Sequence, residues 1–280
     1  MKVVFLDGMT LILAFKWAFE KKDGGLTEAV LVSSDSKATT SIGVSYEVKK
    51  VYPIFLMEDK PVAIAGGAGD PSLAKWGFEV AEDILLKYAR DEYPVRFTAF
   101  RKAVREMEYR FARRFSELRN MGLDPGFQMV LCGLDPTIEP SGRASIYTFD
   151  SKGLAEPVHD NPGYAVIGSG FVTGGILLLR MLGYTMELDL GLLSTFIVDA
   201  VSEVDTAVGP FLGESYLMRV EENGEGIQLA LGPLKEEALI QYKERSAKRK
   251  DLIKKLWRLC DEMGEEEVEK ALNRLPARKN

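Results

Sequence analysis

Pro61-Val62-Ala63-Ile64-Ala65-Gly66-Gly67-Ala68-Gly69-Asp70-Pro71 is the stretch on which the fold turns. Pro61–Ala65 is a short, β-compatible apolar run, and the glycines of Gly66–Gly69 end it in a bend. Asp70 or Ser72 can cap a helix there, and Pro71 suits its first turn, so a helix is expected to run to about Arg90. Strand, glycine bend and helix thus follow one another within a few residues.

Working outward, Val48–Leu56 reads as the strand before this one, separated from it by Glu58-Asp59-Lys60. Earlier still, Leu11–Phe15 and Ala29–Val32 flank the turn Lys21-Lys22-Asp23-Gly24-Gly25 and read as a hairpin. Downstream, Phe97, Phe100, Val104, Met107, Phe111, Phe115 and Leu118 recur at helical spacing, and Gly122 sits where a helix C-terminus belongs. Strands are expected at Phe127–Leu134, Ala144–Phe149 and Tyr164–Ile167, then apolar helices over Phe171–Leu182 and about Met186–Val204. A last hairpin, Ser215–Val220 and Gly226–Leu231, turns through Glu222-Asn223-Gly224. Strands, two helices, strands, two helices, strands is an α+β layered order rather than a βαβ alternation. From about Pro233 the chain becomes charged helix with the stripe Leu252, Leu256, Leu259 and Met263, is broken at Gly264, and ends in a short helix over Glu265–Leu275. Trp257 and that stripe call for cover, so the tail is expected to dock on the body or on a neighbouring subunit.

The 280-residue chain carries a formal charge of −6, which gives no general attraction to nucleic acid or to an anionic membrane. The second helix carries Arg96, Arg101, Arg105, Arg110, Arg113, Arg114 and Arg119. Its aromatics fall on one core-facing stripe and Glu106, Glu108 and Glu117 dilute the basic side, so a solvated face is expected, with no nucleic-acid partner. No apolar run approaches the roughly 20 residues a bilayer requires, and Met1–Leu6 lacks the features of a secretory signal; a cytoplasmic location and no membrane partner are expected. Cys132 and Cys260 form no Cys-x-x-Cys pair and are expected to be packed thiols.

The single histidine, His159, lies in a stretch that reads as a surface loop, and no Gly-x-Ser-x-Gly elbow accompanies it. No phosphate-binding Gly-x-x-x-x-Gly-Lys-Ser/Thr loop occurs, and neither a metal nor a cofactor is expected.

What remains is a collinear set: Met9-Thr10-Leu11, Ser33-Ser34-Asp35-Ser36-Lys37-Ala38-Thr39, Val48-Lys49-Lys50-Val51-Tyr52-Pro53-Ile54, Val62 through Asp70, Ile167-Gly168-Ser169-Gly170 and Val204-Asp205-Thr206-Ala207. In order and hydrophobic context this set resembles the proteasome β-subunits, a family of N-terminal-nucleophile hydrolases. The resemblance covers about residues 10 to 232. The Met-Thr-Leu opening also resembles that of connectase, an archaeal proteasome relative that ligates peptides. Met9 stands where self-processed members carry Gly, Leu11 replaces a second Thr, and Val208 replaces a Ser.

The resemblance implies a four-layer αββα sandwich over 10–232; it leaves unexplained the segment 1–9, expected to be a removable leader, and the helical C-terminal extension expected at 233–280. It implies a threonine-dependent peptidase or amidohydrolase with Thr10 as nucleophile, acting through an acyl-enzyme ester on a peptide or protein, in a homo-oligomer. An N-terminal threonine supplies its own base, an α-amine with a pKa of roughly 7.7–8.0. Lys50 would lower that pKa, Asp35 would hold Lys50, Gly66 N–H would meet the oxyanion, and Ser169 and Asp205 would orient the amine and a water. The resemblance also places Ala38, Val48, Tyr52, Ile64 and Ala68 around a small to medium apolar substrate pocket. Peptide ligation through the same nucleophile and a non-catalytic scaffold subunit are the alternatives. The leader could leave by self-cleavage, or translation could start at Met9 with ordinary methionine removal exposing Thr10.

Overall fold

A computed structural model describes residues 10–20, 25–36, 38–39, 45–46, 49–223 and 226–273. The chain opens with β1 (Ile12–Glu20) and β2 (Leu26–Asp35), continues through the short pair β3 (Ala38–Thr39) and β4 (Ser45–Tyr46), and then forms β5 (Val51–Phe55) and β6 (Pro61–Gly69). Helices α1 (Pro71–Asp91) and α2 (Phe97–Asn120) follow, then β7 (Phe127–Asp135), β8 (Arg143–Phe149), β9 (Ala155–Pro157) and β10 (Tyr164–Ile167). A π-helical turn (Phe171–Gly175) leads into α3 (Ile176–Leu182) and α4 (Leu190–Ser202). The hairpin β11 (Leu212–Asn223) and β12 (Gly226–Pro233) precedes α5 (Glu236–Met263) and α6 (Glu265–Asn273).

The strands pair antiparallel into two five-stranded sheets, β10-β1-β2-β11-β12 and β5-β6-β7-β8-β9. Strand alternation distributes their side chains over three apolar clusters. Ile12, Ala14, Val30, Val32 and Met218 of the first sheet meet Ile64, Val130, Cys132 and Ile146 of the second. Ala63, Ala65, Leu131 and Phe149, on the other face of the second sheet, pack on Ile84 and Phe111 of α1 and α2. Leu11, Leu13, Phe15 and Leu31 pack on Leu179, Leu193 and Ile197 of α3 and α4. Since β1 is covered on both faces, Leu11–Phe15 is an unbroken apolar run with no polar alternation.

The β6–α1 junction forms where Asp70 accepts hydrogen bonds from the N–H groups of Ser72 (2.8 Å) and Leu73 (3.1 Å). On α2 the arginines face outward, and three of them pair within the helix, Arg110 with Glu106 and Arg113 and Arg114 with Glu117. No helix among the described residues is long and apolar enough to cross a membrane.

Some elements differ from expectation. His159 is 5% exposed, not a surface-loop side chain: Val158 N–H bonds the Ile146 carbonyl and draws the segment onto β8, where the imidazole stands edge-on to Phe97. The strand β9 is an addition. The helix expected from Phe171 begins as a π turn because Gly174 adopts φ 147°. The helix expected from Met186 starts at Leu190, capped by Asp189. The tail docks only in part. Tyr242 lies against Gly191, Arg245 pairs with Asp189 and Lys250 with Asp199 and Glu203, while Leu252, Trp257 and Met263 farther along α5 remain exposed. The 1–9 segment and most of the turn expected at Lys21–Gly25 lie outside the described residues.

Candidate active site

Asp35 is the last residue of β2, and its carboxylate organises the site. Its Oδ1 accepts the Thr10 hydroxyl at 2.8 Å, the Leu11 N–H at 2.8 Å and the Lys50 amine at 2.7 Å. Its Oδ2 accepts the Gly209 N–H at 2.8 Å. A carboxylate this deep needs such company, because an unpaired buried charge is expensive. Thr10, Asp35 and Lys50 are 4%, 1% and 6% exposed. Burial pushes the Lys50 pKa below its ordinary value, outweighing the opposing pull of Asp35 and of Glu214.

The Thr10 carbonyl is gripped from the other side. It accepts the Gly170 N–H at 3.1 Å and the Ser169 hydroxyl at 3.5 Å. Gly168 makes this approach possible: its φ is +90°, and a Cβ there would lie 2.2 Å from the Thr10 oxygen. Asp205 does not touch Thr10 directly. Its Oδ2 accepts the Thr173 hydroxyl at 3.0 Å, and the Thr173 N–H donates to the Ser169 carbonyl at 3.3 Å.

Gly66 does not join this group. The Gly67 N–H bonds the Lys50 carbonyl at 2.9 Å, and strand alternation then directs the Gly66 N–H to the opposite edge of β6, toward Val130 of β7. The expected pocket residues also go elsewhere. Tyr52 stacks on Phe78 and donates to Glu82 on the α1 side, whereas Ile64 and Ala68 lie in the cluster between the sheets. The cause is alternation again, which turns Tyr52 to the helix face and Ile64 and Ala68 to the inter-sheet face. Val48 and the Ala38 side chain lie outside the described residues.

Glu214, Gly209 and Thr173 complete the surroundings and carry no motif. Glu214 Oε2 accepts the N–H groups of both Lys50 (3.0 Å) and Val51 (3.1 Å). A partner 164 residues away leaves no local signature. Among the described residues no group of three or more His, Cys, Asp and Glu side chains is arranged to hold a metal, and both cysteines are free.

Comparison with protein-family models finds no match, and no curated protein matches the chain. Solved structures do. A Gly-1 mutant of Anbu from Hyphomicrobium sp. strain MC1 superposes with a TM-score of 0.59 at 14% identity, covering 90% of this chain and 99% of its own. Anbu from Yersinia bercovieri, described as an ancestral beta-subunit, gives 0.57 at 11% identity over 87% of this chain and 96% of its own. A second structure of the Hyphomicrobium protein gives 0.56 at 16% identity over 89% and 97%. Identities this low show a shared fold and nothing finer. The family resemblance read from the sequence is corrected accordingly: no family model supports it, nothing supports a connectase-like Met-Thr-Leu start, and the likeness is one of fold, to Anbu proteins.

Proposed function

We propose that the chain is an N-terminal-threonine hydrolase that cleaves peptide amide bonds once Thr10 is its first residue. The observation that carries this is the sharing of Asp35 Oδ1 by the Thr10 hydroxyl at 2.8 Å and the Lys50 amine at 2.7 Å. An alcohol needs a base to become nucleophilic, and a freed Thr10 α-amine supplies one on the same residue. On this reading the amine takes the Oγ1 proton as Oγ1 attacks the substrate carbonyl. The tetrahedral intermediate collapses with cleavage of the C–N bond, the proton passes to the departing amine, and an ester remains on Thr10. Water, deprotonated by the same α-amine, then hydrolyses the ester. The Lys50 ammonium, held by Asp35, disfavours a second positive charge nearby and keeps the α-amine available as base. Ser169, Gly170 and, through Thr173, Asp205 fix the Thr10 backbone.

The packing of two sheets between α1 with α2 and α3 with α4 is read as a four-layer αββα sandwich over 10–232, with 233–280 as a helical extension and 1–9 as a leader to be removed. The test pairs terminal sequencing of native protein with a peptide vinyl sulfone, which accepts an alkoxide by addition and has no leaving group. A chain beginning at Thr10 that gains one probe mass on Thr10, with no gain in Thr10→Ala, is expected. A native chain that keeps Met1, or one that begins at Thr10 and stays unlabelled, overturns the reading.

A further inference from the structure

Pairing between β2 and β11 is regular from Arg219 to Ser215, where Ser215 faces Ser33, and resumes with Leu212 opposite Asp35. Three steps along β11 therefore match two along β2, so β11 holds one extra residue at Gly213-Glu214. Bulges of this kind bend a strand and re-aim a side chain. Here the bulge presses Gly213 against the Asp35 backbone, where a Cβ would sit 2.7 Å from the Asp35 oxygen, and the Ser34 hydroxyl donates to the Glu214 carbonyl at 3.4 Å. The Glu214 carboxylate leaves its own sheet and reaches the first residues of β5 in the other. There one oxygen, Oε2, accepts both the Lys50 and the Val51 N–H groups.

Lys50 is thus held at three points. Glu214 holds its N–H, Gly67 donates to its carbonyl, and Asp35 accepts from its amine. Resting on the hydrolase reading above, we propose that Glu214 is a positioning residue for the Thr10 reaction: the β11 bulge aims its carboxylate between the sheets to fix the start of β5, and with it the place and charge environment of the Lys50 amine.

Among the described residues, the carboxylates that face that amine are Asp35 from β2 and Glu214 from β11, and on the hydrolase reading the freed Thr10 α-amine is a further ionisable group of the site; β6 carries no ionisable side chain over Pro61–Gly69. Lys49 turns away over the Tyr52 ring, 5.2 Å from its centroid. Both carboxylates favour the ammonium against the burial that opposes it.

Glutamine separates the two contributions of Glu214, because its amide oxygen can still accept both N–H groups while the charge is gone. The experiment measures the labelling rate of Thr10 by a peptide vinyl sulfone against pH in the full chain beginning at Thr10, for wild type, Glu214→Gln and Glu214→Ala. Alongside it, the Lys50 amine is titrated by NMR of 13C-labelled lysine, assigned with Lys50→Arg. Glu214→Ala is expected to label roughly tenfold or more slowly at every pH. Glu214→Gln is expected to recover much of that rate, with the Lys50 midpoint and the alkaline limb of labelling both moved down by on the order of one pH unit. If Glu214→Ala does not fold, Glu214→Gln alone decides. Superimposable profiles and an unmoved Lys50 midpoint in Glu214→Gln overturn the proposal. A wild-type chain beginning at Thr10 that takes no label removes the hydrolase reading instead, and the Lys50 titration still reports whether Glu214 governs that amine.

Discussion

On the hydrolase reading the site depends on the charge of the Lys50 amine, and the burial of that amine works against it. Its pKa lies below the ordinary 10.5 because desolvation outweighs Asp35 and Glu214. Two consequences of opposite sign follow. On the hydrolase reading, Thr10 labelling rises as the α-amine loses its proton and falls again, at a pH below 10.5, as Lys50 loses its charge. Between the depressed folded pKa and the unfolded one, the unfolded chain binds more protons at this group, so Lys50 adds stability as pH rises. The alkaline limb of labelling is therefore expected to appear while the fold is intact, and circular dichroism across the same range checks it. Loss of labelling that coincides with unfolding would contradict this account.

At the scale of elements, the Gly168–Gly170 turn after β10 packs tightly against the Thr10 backbone. Gly168→Ala asks a side chain to adopt φ +90° and to occupy a position 2.2 Å from the Thr10 carbonyl oxygen. The turn has to move or Thr10 has to. The substitution is expected to cost about 1–3 kcal/mol in thermal or denaturant unfolding. It is also expected to slow Thr10 labelling beyond the fraction unfolded; a variant that labels at the wild-type rate would show that the turn does not place the nucleophile. The sequence made such elements legible where local chemistry decides them. The glycine bend and Asp70 cap mark the β6–α1 junction, and the aromatic stripe from Phe100 to Leu118 marks α2. Thr10, Asp35 and Lys50 stand out only through the family resemblance of short collinear segments; the Thr10 hydroxyl and the Lys50 amine meet on the Asp35 carboxylate. Legibility failed where a strand's two faces had to be told apart. Tyr52, Ile64 and Ala68 read as one apolar lining, yet alternation sends the first to the helices and the others between the sheets. It failed again for Glu214, whose place depends on a bulge in a strand formed 164 residues after Lys50.

Over the whole molecule, the donors that meet on Asp35 come from distant parts of the chain: Leu11 lies 24 residues before it, Lys50 15 after and Gly209 174 after. The first sheet alone cannot supply them all, because Lys50 stands at the head of β5 in the other sheet. Nor can the N-terminal half alone, because Gly209 arrives only after α4. Closing loops of this length is slow compared with forming α1 or the β1–β2 hairpin. On the hydrolase reading, Thr10 is therefore the last part of the molecule to become dangerous: a nascent or half-folded chain, with peptide segments of its own lying loose beside it, has no assembled apparatus with which to cut them. In a refolding time course, vinyl sulfone reactivity should lag behind helix formation and appear with the burial of Trp17, read by fluorescence in a variant that keeps it as the sole tryptophan; reactivity that comes up with the helices would mean that Thr10 is armed before its safeguards.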